Sequence, residues 1–279
     1  MKPRELVTLL IPPFLMHAYE ALRRKRENKS PSQEENHLAG DYSSWAEALA
    51  ASTGYNSEII LEKTRAALLK VKHGEAVYER DSVLFDTVQY AWPLLAGLMW
   101  VAAQSGGVLN VLDFGGSLGS TYFQNRLFLE HLPAVHWNIL EQPRQVEIGK
   151  ADFEDKNLRF YSDIKSCLAE TQPNLILLSG VLQYLEHPRD ILLKLLTSPC
   201  HNLIIDRTPF WDGPADRMCV QHVPARIYAA SYPSWIFSLP RFRLLLEEGW
   251  RIAAEFDDPD RLPGPVVFGY KGMVVIRRD

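Results

Sequence analysis

Asp113, Gly115, Gly116 and Gly119 stand together in Val111-Leu112-Asp113-Phe114-Gly115-Gly116-Ser117-Leu118-Gly119. An apolar run ends in an acid and glycines follow at once. Glycine lets the backbone turn sharply and approach a ligand with no Cβ in between. The spacing is not GxGxxG, which argues against a standard dinucleotide site. Nor is it GxxxxGK followed by Ser or Thr, and no lysine waits to pair with phosphates, which argues against a P-loop. Three further positions follow in chain order. Glu141 closes the run His136-Trp137-Asn138-Ile139-Leu140, and an acid ending the second strand faces a ribose in Rossmann-type sites, where its oxygens accept both hydroxyl protons. Asp163, after Ser162, is placed either to accept from an adenine amino group or to cap the next helix. Ser179-Gly180 opens a loop beside the glycine turn.

A ligand without phosphate that needs a glycine turn, plus acids for an ammonium group and for sugar hydroxyls, is S-adenosyl-L-methionine. It is the expected cofactor. Methyl transfer from a sulfonium is an in-line displacement in which the protein positions the acceptor and keeps water out. A hydroxyl acceptor needs a general base. His222, in Val220-Gln221-His222-Val223-Pro224, is the candidate; the alternative is a histidine with its hydrogen bonds satisfied. Asp206 and Arg207 are expected to line the acceptor pocket. There Arg207 holds an anionic group such as a nucleotide-sugar phosphate or a uronate, or else it pairs with Asp206 or Asp212. Tyr78-Glu79-Arg80-Asp81 reads as a lid over the cofactor or as an acidic helix N-terminus. Trp211, Tyr228, Tyr232 and Trp235 either stack on a sugar ring or form a small core of their own. No His/Cys/Asp/Glu cluster has metal-ligand spacing, so no metal is expected.

These residues need a parallel sheet to bring them together. Strand-like runs at Val108–Phe114, Val135–Glu141, Leu158–Ser162, Leu175–Ser179 and Leu203–Asp206 alternate with helical stretches. That rhythm implies an α/β, Rossmann-like, mostly parallel sheet of about seven strands covered on both faces, with the last two strands beginning near Trp250 and Gly272. An aromatic, proline-punctuated stretch, 207–240, reads as an insertion after strand five. Upstream, Asn56 or Ser57 is a candidate cap for a helix to about Lys72, and Asp81 or Ser82 for a long apolar helix up to Gln104. The expected division is an N-terminal amphipathic segment and linker over 1–41, a helical cap over 42–105, and a cofactor-binding catalytic domain over 106–279.

The 279 residues are 47% hydrophobic and 23% charged, which suits an α/β domain with additions. The net charge of −4 gives no basic footprint for nucleic acid, so none is expected as a partner. Three cysteines at irregular spacing, Cys167, Cys200 and Cys219, fit a reducing cytoplasm rather than a disulfide framework. Residues 6–26 join an apolar stretch, broken by Pro12 and Pro13, to the basic run Arg23-Arg24-Lys25-Arg26. They read as a peripheral contact with the inner face of a membrane or as a terminal helix packed on the domain. The uncharged stretch between Asp86 and Asp113 reads as a buried helix before the first strand.

From Asp113 to Asp206 the chain resembles class I S-adenosylmethionine-dependent methyltransferases. Over roughly residues 40–278 it more closely resembles a family of methyltransferases of unassigned substrate found in bacterial surface-polysaccharide settings. That likeness is carried by Gly40-Asp41-Tyr42-Ser43-Ser44-Trp45, by Tyr78 to Asp86, by the Asp113–Gly119 loop with Tyr122-Phe123-Gln124-Asn125, by Val181-Leu182-Gln183-Tyr184-Leu185, by Ile205 to Phe210 and by Ala230 to Trp235. It implies a small acceptor, a sugar or nucleotide-sugar hydroxyl. The chain departs from the wider class where Tyr184 stands in place of a histidine and where Ser198-Pro199-Cys200-His201-Asn202 replaces a Pro-Gly-Gly turn. Two rival readings are a protein of this fold that binds without catalysing, within a glycan assembly complex, and a nicotinamide-dependent sugar-modifying enzyme.

Overall fold

The structure is a computed structural model that describes residues 36–53, 57–224 and 230–278. Its centre is a seven-stranded sheet. In chain order the strands are β4 (Val108–Phe114), β5 (Ala134–Leu140), β6 (Leu158–Tyr161), β7 (Leu175–Ser179), β8 (Asn202–Trp211), β11 (Trp250–Asp257) and β12 (Gly269–Arg277). Across the sheet they run β6-β5-β4-β7-β8-β12-β11. The first five are parallel, and β12 pairs antiparallel with both β8 and β11. The expected Rossmann-like α/β sheet is therefore present.

Parallel strands need both faces covered, and the side chains alternate accordingly. Val111, Leu175, Leu177 and Ile204 join one core with Trp137, Phe160 and the helices α2 (Ser57–Lys72), α3 (Trp92–Gln104), α4 (Ser120–Leu129) and α5 (Pro143–Asp152). Their neighbours Leu112, Ile176, Leu178, Leu203 and Ile205 join a second core with α6 (Ile164–Thr171), α7 (Pro188–Leu196) and α8 (Leu239–Leu246). The result is a helix–sheet–helix sandwich.

The order of the sheet also makes the crevice. β4 pairs with β5 on one side and with β7 on the other, so the connections after β4 and β7 leave in opposite directions. A second gap opens at β8. Its first half pairs with β7 as far as Asp206, beside Ser179, whereas its far end, Phe210-Trp211, pairs with β10 (Ala230–Ser238). Arg207 sits between the two at φ 49°, a left-handed kink that redirects the strand.

Several expectations are revised. Residues His37–Tyr42, of which all but Tyr42 were read as linker, form strand β1 and pair with β9 (Arg217–Val223). The stretch 207–240, whose prolines mask its alternation, supplies β9 and β10, which extend the sheet. Within 42–105, α1 (Trp45–Ala50) and α2 are helical, but Tyr78–Arg80 and Val83–Phe85 form a hairpin, β2-β3. Asp81 and Ser82, expected to cap a helix, are its two-residue turn, at φ 51° and 69°. The apolar helix begins only at Trp92 and packs on β4 and β8, so closely that a Cβ on Gly97 would stand 2.7 Å from Ile204 Cδ1. No helix among the described residues is long and apolar enough to cross a membrane. The segment 6–26, Asn56 and Tyr228 lie outside the described residues.

Candidate active site

A cavity of about 1350 Å³ lies at the carboxyl ends of β4, β5, β6, β7 and β8. Pockets for a drug-sized ligand are on the order of 300–1,000 Å³. This one has room for a nucleoside-sized molecule and a second small one. Asp113, Gly115, Gly116, Glu141, Asp163, Ser179, Gly180, Asp206 and Arg207 all line it; Gly119 and His222 do not.

The loop after β4 is built from left-handed residues. Gly115, Ser117 and Gly119 have φ of 74°, 52° and 104°, so helix α4 starts at Ser120 rather than near Ser117 as the sequence suggested. A side chain at Gly115 would overlap Val181, and one at Gly116 would overlap the Asp113 carboxylate. Gly119 is the αL residue that opens α4, with Leu158 and Ile139 behind it, so it shapes the turn from outside the cavity. The Asp113 carboxylate is buried under this loop and accepts from Trp137 Nε1 at 2.8 Å. Burial, reinforced by the nearby Glu141, pushes its carboxyl up to about 7. Asp113 therefore acts first as a buttress for the glycine turn.

Glu141 sits at the tip of β5. Its Oε1 accepts from the Ser117 amide at 3.1 Å and its Oε2 from the Gln142 amide at 2.9 Å. Each oxygen retains a second lone pair for a hydroxyl donor. Burial raises its carboxyl above the ordinary glutamate value, against these two bonds. Asp163 caps α6, accepting from the Ser166 amide at 2.7 Å and the Lys165 amide at 3.3 Å. The capping alternative thus holds, while the residue stays on the cavity rim. Its bond from the Ser166 hydroxyl, and then that from the Ser166 amide, lower its carboxyl pKa.

The other flank is built by β7, β8 and the turn after β11. Ser179 Oγ donates to Asp206 Oδ2 at 3.1 Å, and the Gly180 amide donates to the Asp206 carbonyl at 3.0 Å. Asp206 is 1% exposed, and its Oδ1 has no hydrogen-bond partner. Burial, with the neighbouring Asp258, pushes its carboxyl up to about 6. Arg207 is not free for an anion, nor paired as the sequence suggested. Its Nη2 meets Asp81 Oδ2 at 2.9 Å and its Nε meets Asp260 Oδ2 at 3.3 Å. Arg80 also pairs with Asp260, which ties the β2-β3 hairpin to the turn after β11.

His222 is corrected as the base. Gln221 and Val223 line the cavity, and alternation along β9 turns His222 to the opposite side, where its ring stacks on His37 at 4.9 Å. Tyr232 lines the cavity beside Tyr184, whose hydroxyl donates to Gln221 Oε1 at 2.9 Å. Trp211 is bound to its own loop, its Nε1 donating to the Ala215 carbonyl at 2.9 Å, and Trp235 donates to the Leu185 carbonyl at 2.9 Å. Neither lines the cavity.

Sequence reasoning missed Glu79 as a buried anchor, and it missed Gln183, Asp258 and Tyr270. Glu79 Oε1 accepts from the Ser82 amide and Oε2 from Ser120 Oγ, both at 2.7 Å, so the hairpin clips onto the start of α4. Burial raises its carboxyl pKa. Glu79 and Gln183 stood within strings already singled out, and the acid-rich string Asp257-Asp258-Pro259-Asp260 was a visible signal; Tyr270 had none.

No protein-family model and no curated protein matches this chain. Among solved structures, it is similar to the N-terminal domain of EvdMO1, crystallised in the presence of SAH and D-fucose. Identity is 13%, over 80% of this chain and 97% of that one, with a TM-score of 0.47. The 1,6-didemethyltoxoflavin-N1-methyltransferase of Burkholderia thailandensis, with S-adenosylhomocysteine bound, is 14% identical over 81% and 92%, at 0.41. CalS10 of Micromonospora echinaspora, an amino pentose methyltransferase with SAM bound, is 12% identical over 68% and 92%, at 0.43.

Proposed function

We propose that this chain is an S-adenosyl-L-methionine-dependent methyltransferase acting on a small acceptor, a sugar-type hydroxyl. The resemblance noted in the sequence suggests surface-polysaccharide biosynthesis as the setting. The observation that carries the reading is the pairing of a Cβ-free turn, Gly115-Gly116, with the Glu141 carboxylate in one cavity large enough for donor and acceptor. The residues fit the cofactor: a Cβ at Gly115 would overlap Val181 and one at Gly116 the Asp113 carboxylate, so the turn stays narrow beside the cavity, and Glu141 keeps acceptor capacity for two hydroxyls.

When bound, S-adenosylmethionine supplies a methyl group activated by a sulfonium. The chain's own residues do the rest. Glu141 takes the ribose hydroxyls, and the amides of Ser117 and Gln142 hold its carboxylate in place. Gly115 and Gly116 let the backbone lie against the nucleoside, while Asp113 supports the loop from behind. Ser162 and Asp163 edge the adenine end. Ser179 and Gly180 divide the cofactor side from the acceptor side, where Asp206 stands. The β2-β3 hairpin, fixed by Glu79 and Arg80, forms part of the cavity wall.

Titration calorimetry with S-adenosylmethionine tests the reading. One-to-one binding together with methyl release on a carbohydrate panel supports it. Saturable binding of a nicotinamide dinucleotide, with none of S-adenosylmethionine, overturns it.

A further inference from the structure

Two buried side chains beside the kink in β8 each leave one acceptor atom unpaired. Gln183, 2% exposed, donates through Nε2 to the Arg207 carbonyl at 3.2 Å and leaves Oε1 unpaired. Asp206 leaves Oδ1 unpaired. Both line the cavity and flank the same kinked backbone, where a Cβ on Gly180 would lie 3.7 Å from Arg207 Cβ and 4.0 Å from Gln183 Nε2. Unpaired buried acceptors are costly, and a ligand that brings donors relieves them.

Two of the arginines that line the cavity are ion-paired. Arg207 is held by Asp81 and Asp260, and Arg80 by Asp260. Arg261 donates to the carbonyls of Asp258 and Asp260 at 2.5 and 2.6 Å. Of the arginines and lysines lining the cavity among the described residues, Arg261, an exposed side chain, is the one without a carboxylate partner. A phosphate or uronate placed beside the kink would face Asp206 and Asp258.

Resting on the methyltransferase reading, we propose that Asp206 and Gln183 form the acceptor subsite: they select a neutral or amino sugar over an anionic one, and Asp206 is the general base for its hydroxyl. In the transfer, the acceptor oxygen bonds to the methyl carbon as the carbon–sulfur bond breaks. The bonding pair stays on sulfur, and the hydroxyl proton passes to the Asp206 carboxylate and is released to solvent once the product has left. The groups around Asp206 set its proton affinity. Burial and then Asp258 raise it, while Arg207 and the bond from Ser179 lower it.

The test is ligand-observed NMR on the full chain loaded with S-adenosylhomocysteine. The probes are methyl glycosides of neutral hexoses, the matching hexosamines, the uronic acids and UDP. Neutral or amino sugars are expected to bind at least about tenfold tighter than uronates and UDP. Asp206→Asn and Gln183→Leu should each weaken that binding by roughly tenfold, with S-adenosylhomocysteine affinity kept within about twofold. With a turned-over sugar, Asp206→Asn should lower kcat by about a hundredfold or more, and the wild-type rate should rise through about pH 6. Tighter binding of uronates or UDP, no sugar binding at all, or unchanged sugar binding in both variants overturns the proposal. Should Asp206→Asn not fold, Gln183→Leu decides alone. Failure of the wild type to bind S-adenosylhomocysteine refutes the methyltransferase reading instead, and the same sugars on the unloaded protein still judge the subsite.

Discussion

Replacing Glu141 by alanine removes the one carboxylate at the tip of β5, and the structure sets the size of the effect. Each Glu141 oxygen already accepts one amide, so each has a single lone pair left for a ribose hydroxyl. Hydrogen bonds to a charged group are worth about 1.5–3 kcal/mol each. The two amides compete for the same oxygens, so about 2–3 kcal/mol is a fair total for the pair. That corresponds to binding about 30- to 150-fold weaker. Glu141→Gln keeps one acceptor oxygen and loses the charge, so it should fall between, at roughly tenfold. The assay is calorimetric titration of S-adenosylhomocysteine at pH 7.5, with thermal unfolding of each variant as a control for the loop. Because burial holds the Glu141 carboxyl above its ordinary value, wild-type affinity should also fall off at a higher pH than an unperturbed glutamate would give. A folded Glu141→Ala variant with affinity within about twofold of wild type would refute the ribose assignment.

Other outcomes follow from the same geometry. Gly116→Ala places a methyl 2.5 Å from Asp113 Cγ, whose carboxylate Trp137 holds; it should cost about 1–3 kcal/mol in thermal unfolding and abolish measurable cofactor binding. Asp113 titrates near 7 when folded against 3.8 as its reference, so its folded state favours the proton. That stabilisation is full below about pH 4 and lost as pH rises to about 7, on the order of 4 kcal/mol in all. Denaturant unfolding should therefore show wild type losing stability relative to Asp113→Asn between pH 4 and 8; parallel pH profiles would contradict this. His222→Ala should leave turnover within about twofold of wild type, because the ring stacks on His37 away from the cavity; a large loss of kcat would restore it as the base.

The central sheet was legible because its strands are buried on both faces and so read as apolar runs ending in marked residues. Val108–Phe114 and Leu175–Ser179 agree with the observed strands to the residue. The cavity-lining positions were legible for the same reason: Glu141 and Ser179 mark strand ends, and Gly115-Gly116 marks the turn after β4. What failed was anything set by partners far away in sequence. β1 is a strand only because β9 lies beside it, and β10 contains Pro233, so neither shows a clean alternation. The Asp81-Ser82 turn looked like a helix cap because aspartate and serine serve both purposes. Arg207 was expected to hold an anion or to pair with Asp206 or Asp212; its partners Asp81 and Asp260 come from two distant loops. For His222 a local strand parity would have sufficed, had β9 been recognised as a strand.

The most direct measurement is a crystal structure of this chain with S-adenosylhomocysteine. The ribose hydroxyls should lie within hydrogen-bond distance of Glu141, with the nucleoside running over Gly115 and Gly116 and the sulfur turned toward Asp206. A nucleoside bound elsewhere, with Glu141 touching only its own loop, would contradict the account.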